Sequence, residues 1–292
     1  MKSVFKIFLA FILAGFAFLF LIFLFFGLVS LVSDGKPEVK QHSVLTINFN
    51  SEIVERGIED SFGSFDFLTQ TNSSVIGIDE LKQALNAAKD DDKIDAVLLE
   101  FSGLMAGPST LKDVRELLLK FNSESDKPVY SYAEVYTQKA YYLATAADSL
   151  FLQPSGLIEL SGLSANVAYY KTMFSNIGVK PEIIRGSNNR FKSAVEPYIE
   201  DEMSSSNRLQ LETMFDDLWS EFKSGIATSR NLSTQTVQSI SDSFAVQSPK
   251  SALQFGLVDD LRFEDQVRKS LANLTSAKSE SKVNYIDYKT YT

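Results

Sequence analysis

The sequence of 292 residues contains no cysteine and a single histidine. The first absence excludes disulfides, thiolate catalysis and cysteine-ligated metals. The second leaves only His42 to serve a Ser-His-Asp triad, and one imidazole cannot build a His-rich zinc site. His42 precedes the first strand and comes soon after a long apolar run, so it is expected to be an exposed stem residue. Positive charge is in deficit as well, with 28 Lys and Arg against 37 Asp and Glu and a net charge of −9. Two of the lysines, Lys2 and Lys6, precede the apolar run, so the remainder is more acidic still. Such a body is not built to bind phosphate backbones, and nucleic acid is not expected as a partner.

Charge is missing altogether from Ile7 to Ser33, over about 27 residues dense in Phe and Leu. About 20 apolar residues span a bilayer as a helix. A cleaved signal peptide carries only ~7–15 and ends in an Ala-x-Ala-like site. Residues 7–33 are therefore expected to be an uncleaved transmembrane signal anchor. Lys2 and Lys6 stand unopposed before it, whereas Asp34, Lys36, Glu38 and Lys40 balance after it. The positive-inside bias places residues 1–6 in the cytoplasm and the rest outside, which is the periplasmic side of the cytoplasmic membrane in a Gram-negative cell. Residues 34–42 form a polar stem.

The chain is globular in composition, with 45% hydrophobic and 22% charged residues. Alternation and β-branching predict a strand over Ser43–Phe49. Residues 50–74 are polar and are expected to form a long irregular loop. Helices are predicted over Ile78–Lys89, Ser109–Phe121 and Gln138–Thr145, interleaved with strands over Ala96–Phe101, Val129–Ala133 and Ser149–Leu152. That rhythm predicts an α/β fold with mainly parallel strands. Pro181–Arg185 is strand-like. A long amphipathic helix is expected over Ser204–Arg230, with Leu211, Met214, Phe215, Leu218, Phe222 and Ile226 as its apolar stripe. Ser248, Pro249 and Gly256 have the chemistry of an N-cap, a first helical residue and a C-terminal stop.

The most informative stretch is Phe191–Met203, FKSAVEPYIEDEM. It sets Lys192 on a short polar run ahead of the long helix. A loop lysine is ordinarily a solvated charge. A lysine serves as a general base only when neutral, which requires lowering its usual pKa of ~10.4 by ~2–3 units through burial or a nearby cation. Glu196, four residues on, would pair with Lys192 if the backbone turned helically there.

The run KSAVEP, the acidic turn and the helix bearing Trp219 resemble the lysine-bearing segment of the signal peptide peptidase A family, in its long two-repeat form. Three further features agree. They are the turn Phe101-Ser102-Gly103, the unit Val129–Pro154, and SPKSALQFGLVDDL over Ser248–Leu261. The resemblance implies a crotonase/Clp-protease-like superfold, with residues 43–275 as a first repeat and 276–292 as a linker toward a second repeat that is missing. It makes Lys192 the general base of a serine/lysine dyad. The family's serine lies on an Ala-Ser-Gly-Gly-Tyr turn opening a helix. The matching start here is Tyr136 to Tyr142, and Gln138 stands where the serine would be, with Lys139 and Ala140 in place of the glycines. The nucleophile is thus absent from this chain, and Thr137 is expected to cap a helix. The turn Ser102–Ser109 stands where a second repeat would supply an oxyanion donor, although a plain strand-to-helix turn fits it better. Tyr141, Tyr142, Tyr169 and Tyr170 are either core or the lining of an apolar groove.

The resemblance further implies a membrane-anchored endopeptidase acting on cleaved signal peptides and other apolar peptides, with no metal or organic cofactor, assembled as a homotetramer. The chain on its own is expected to be inactive, as a piece of a longer protein or a truncated one. The competing reading is a non-catalytic membrane-anchored binding or assembly module of the same fold.

Overall fold

The structure is a computed structural model that describes residues 2–33, 39–57, 75–184, 186, 190–275, 277, 279 and 282–291. Stem residues 34–38 and loop residues 58–74 lie outside this set. The first helix spans Lys2–Ser33. From Phe5 to Gly27 it is long and apolar enough to cross a membrane, and none of that window is buried against the rest of the protein. A helix apolar on every side with no core to enter fits a bilayer.

Among the described residues the strands are β1 (Ser43–Phe49), β2 (Ile53–Val54), β3 (Ile76–Gly77), β4 (Ile94–Phe101), β5 (Val129–Tyr136), β6 (Ser149–Ile158), β7 (Asp260–Leu261) and β8 (Asn284–Asp287). Six of them form one sheet in the order β7-β6-β5-β4-β1-β8. Every neighbouring pair is parallel. β2 and β3 make a separate parallel pair. Such a sheet must be covered on both faces, which is why β4 reads as the near-continuous apolar run IDAVLLEF.

One face carries the main core. The helices Ile78–Asp90, Pro108–Glu124 and Gln138–Ala144 pack Leu81, Leu85, Leu111, Leu118 and Tyr141 against Leu45, Ile47, Val97 and Leu99. The other face is closed by the helix Glu264–Leu274, whose Val267, Leu271 and Ala272 meet Val44, Ala96, Leu98 and Phe151. β5 and β6 run past the predicted ends at Ala133 and Leu152. A register irregularity between Ala133 and Val135 brings Gly156 against the Glu134 carbonyl, where a Cβ would sit 2.2 Å from that oxygen. Only a glycine allows so close an approach.

Arg115 fastens three helices together. It is buried, and its guanidinium donates to Tyr142 O, to Thr145 Oγ1 at 2.8 Å, to Gly225 O at 2.8 Å and to Ser229 Oγ at 2.6 Å. Gly225 leaves room for this, since a Cβ there would lie 2.7 Å from Tyr142 Cε2.

Three expectations are corrected. Pro181–Ile184 is not a strand, and Arg185 lies outside the described residues. The segment has no sheet neighbour and Ile184 is fully exposed, so its β-branched pattern has nothing to pair with. Residues 276–292 are not a free linker over their described part. β8 pairs with β1 along Ser43–Thr46, and the short helix Tyr288–Tyr291 buries Tyr288 in the main core. The polar spacing hid a strand because β8 is an edge strand only four residues long. Finally, the stripe on the helix Ser205–Arg230 is buried only toward its C-terminal half. Trp219, Phe222 and Ile226 are in the core, whereas Met214 is 45% exposed.

Candidate active site

Lys192 lies in an irregular turn just before a four-residue helix, Glu196–Ile199. Its side chain is exposed, as is that of Phe191. The expected Lys192–Glu196 pair does not form among the described residues. The helical turn starts at Glu196, so Lys192 stays outside it and the two side chains do not share a helix face. The Glu196 carboxylate instead turns inward. It accepts from Ser204 Oγ at 2.6 Å, Ser204 N at 3.3 Å and Asn207 Nδ2 at 3.2 Å, at the start of the long helix. Ser204 in turn caps that helix by accepting from Asn207 N at 3.2 Å.

Gln138 opens the helix after β5. Thr137 takes the predicted capping role, with its hydroxyl accepting from Ala140 N at 3.3 Å. The Gln138 side chain is engaged with backbone at both ends of its amide. Oε1 accepts from Ser161 N at 3.1 Å and Gly162 N at 2.9 Å, and Nε2 donates to Gly162 O at 3.1 Å. No hydrogen bond or ion pair joins Gln138 to Lys192 among the described residues. The connection runs through the chain after β6. It leaves the Gln138 clamp at Gly162 and meets the lysine segment where Tyr170 N donates to Pro197 O at 2.7 Å.

Ser102 N and Gly103 N both donate to Phe49 O at 3.2 Å, and Met105 pairs with the segment after β1. Lys139 closes the same region by donating from Nζ to Ala106 O at 2.8 Å. The strand-to-helix reading of Ser102–Ser109 holds, because its first two N–H groups are already spent.

Of the four tyrosines, Tyr141 and Tyr142 are core residues. Burial pushes the Tyr141 hydroxyl far above its ordinary value, while burial, against the opposing charge of Arg115, pushes Tyr142 up to about 12. Tyr170 is exposed and lies over Phe174 and Tyr198, with centroids 6.3 and 6.5 Å away. It belongs to an arm, comprising the described residues among 163–214, on which the apolar side chains of Leu163, Val167, Met173, Ile177, Tyr198 and Met214 are exposed. Lys192 projects from that arm. His42 is exposed beside β1 and contacts Asp95 at 2.9 Å. Among the described residues no three His, Asp or Glu side chains converge as a metal site.

Sequence reasoning missed the inward turn of Glu196 and the Gln138 clamp. A capping serine at Ser204 with Asn207 three residues on was a signal for the first. The second had none, since its partner lies 24 residues away.

The parallel α/β body and the apolar N-terminal helix define a class, an α/β protein preceded by a helix that fits a membrane span, and comparison with known proteins narrows it. Residues 122–278, more than half of the chain, match Peptidase family S49, and the chain belongs to that family. It is 31% identical to Protease 4 of Salmonella typhi over 79% of this chain and 38% of that protein. It is 25% identical to Protease 4 of Haemophilus influenzae over 94% of this chain and 46% of that protein. The chloroplastic serine protease SPPA of Arabidopsis thaliana is 24% identical over 87% of this chain and 35% of that protein. The likeness to signal peptide peptidase A thus extends over most of the chain, which spans less than half the length of these curated relatives.

Proposed function

We propose that this chain is the lysine-donating part of a membrane-anchored serine endopeptidase that degrades cleaved signal peptides. In this reading Lys192 is the general base that takes the proton of a serine hydroxyl as it attacks the scissile carbonyl. The serine comes from outside residues 1–292. The body stands outside the cytoplasm, on the periplasmic side in a Gram-negative cell, and a crotonase-like fold and a homotetramer belong to the same reading. The exposed apolar arm supports both an apolar peptide substrate and contact with further copies.

One observation carries the division of labour. Lys192 is exposed on its turn, while both ends of the Gln138 amide are engaged with Ser161 and Gly162. An amide is no nucleophile, and this one is held by the backbone of Ser161 and Gly162. Residues 1–292 alone are therefore expected neither to hydrolyse peptides nor to react with a fluorophosphonate. Stoichiometric labelling that disappears on changing one Ser or Thr of this chain would overturn the proposal. The same Gln138 clamp favours a second reading, a non-catalytic anchored assembly module. Loss of turnover on Lys192→Ala, in a protein that carries this chain together with a serine-bearing repeat, would separate the first reading from the second.

A further inference from the structure

The arm that carries Lys192 is largely exposed, yet two of its polar side chains are buried, Glu196 at 6% and Asn207 at 7% exposure. A buried carboxylate is costly unless it is paired or well hydrogen-bonded. Among the described residues Glu196 has no basic partner within ion-pair distance, and its carboxylate is held by neutral donors, Ser204 N, Ser204 Oγ and Asn207 Nδ2. These donors sit at the N-terminus of a helix of 26 residues, where the backbone field favours a negative charge. Charge-assisted bonds of this kind are stronger than neutral ones.

The backbone of Glu196 is bound to the lysine turn at the same time. Glu196 N donates to Ser193 O at 2.9 Å, Glu200 N donates to Glu196 O at 2.8 Å, and Tyr170 N holds Pro197 O at 2.7 Å. One residue therefore ties the Lys192 turn, through its main chain, to the long helix, through its side chain. That helix is anchored in turn by Trp219, Phe222 and Ile226 in the core, and by Arg115 on the Gly225 carbonyl. A mechanical path runs from the core to the turn, and Glu196 is its last polar link.

We infer that Glu196 is a positioning residue for Lys192. Its carboxylate fixes the lysine-bearing turn to the rigid helix Ser205–Arg230, so that the amine is presented at one place relative to the sheet. This rests on the reading of Lys192 as a general base. A base helps only when held within hydrogen-bond reach of its proton donor, and the Glu196 carboxylate is the buried side-chain tie between this turn and the long helix, the bond from Arg190 Nε to Ser206 Oγ being exposed and long at 3.4 Å.

The absence of native cysteine makes the test direct. Spin labels placed on Lys192→Cys and on Ser109→Cys, the latter exposed on the helix Pro108–Glu124, report the spread of distances between the turn and the body. In the otherwise unchanged chain a narrow distribution is expected. Glu196→Ala is expected to widen it by about twofold or more, as local order is lost without global unfolding. Glu196→Gln, whose amide oxygen still accepts from Ser204, is expected to restore most of the narrow form. The thermal unfolding midpoint should stay near that of the parent in both, because the sheet is untouched. An unchanged distribution in Glu196→Ala would overturn the inference and leave Glu196 as a helix cap alone. If the distances respond as expected but turnover in a complete enzyme survives Lys192→Ala, the reading of Lys192 as base fails, and the role of Glu196 in the reaction fails with it.

Discussion

The side-chain amide of Gln138 grips the main chain of Gly162 from both sides, with Oε1 accepting its N–H at 2.9 Å and Nε2 donating to its carbonyl at 3.1 Å. Because Oε1 also accepts from Ser161 N, a single side chain fixes the point where the arm leaves the sheet. Removing it leaves three backbone groups without a protein partner. Gln138→Ala is expected to lower stability by about 1–3 kcal/mol, the cost of stranding half-buried polar groups. Gln138→Glu keeps the acceptor but sets a carboxylate against the Gly162 carbonyl, and is expected to be no better. Gln138→Ser should confer no reactivity toward a fluorophosphonate. Denaturant unfolding and probe labelling check the set, and unchanged stability in Gln138→Ala would show the clamp to be dispensable.

Acid should weaken the junction between the long helix and the sheet. Burial tends to raise the Asp259 carboxyl, but its bonds to the Arg230 guanidinium and to Leu150 N, with the charge of Arg230, outweigh that and hold it below the ordinary carboxylate range. A carboxylate whose pKa is lower in the folded state stabilises the protein above its unfolded pKa, which is about 3.9 for Asp. The contribution is lost as pH falls from there through the folded value. Asp259→Asn is thus expected to destabilise the protein at pH 7 and to make progressively less difference below about pH 4. Urea unfolding of both proteins at several pH values measures this. A gap that widens in acid would contradict it.

The C-terminal segment is part of the fold. Thr46 Oγ1 donates to Ile286 O at 3.2 Å, Lys289 Nζ donates to Val75 O, and Tyr291 OH donates to Asp91 Oδ2 at 2.9 Å. Deleting residues 276–292 would strip Ile286 and Tyr288 from the core and bare the edge of β1. Losing large buried side chains costs about 2–5 kcal/mol each, and a bared edge invites aggregation. A strongly lowered melting temperature or insoluble protein is the expected result. A truncated chain as stable as the parent would restore the linker reading.

The proposed topology rests on Lys2 and Lys6 ahead of the apolar helix. A reporter fused after residue 292 is expected to be active only outside the cytoplasm, and Lys2→Glu with Lys6→Glu is expected to erode that orientation. Cytoplasmic activity of the parent fusion would refute the assignment.

Much of the fold was legible in the sequence, because the signals were local and periodic. The uncharged run from Ile7 to Ser33 fixes a long apolar helix, and alternation over Ser43–Phe49 fixes a strand at those same bounds. Thr137 and Ser248 announce helix starts through chemistry that acts within three residues, and both cap as expected. The KSAVEP run was enough to single out Lys192 and to suggest the family. Gln138 was legible as a departure from the family's pattern.

Tertiary structure decided whatever depends on partners distant in sequence. β8 finds β1 across some 240 residues, a pairing that four residues at a sheet edge cannot signal. Pro181–Ile184 has a strand's composition but no neighbouring strand, and so remains irregular. Glu196 had two possible partners, a lysine before it and a helix start after it. The backbone settled the choice by beginning its helical turn at Glu196, which left Lys192 outside and sent the carboxylate to Ser204 and Asn207. Local chemistry therefore set which elements form and where they start, because caps and periodicity act over a few residues. Which polar groups satisfy one another depended on the packed chain, since a buried donor or acceptor takes the partner that folding brings within reach.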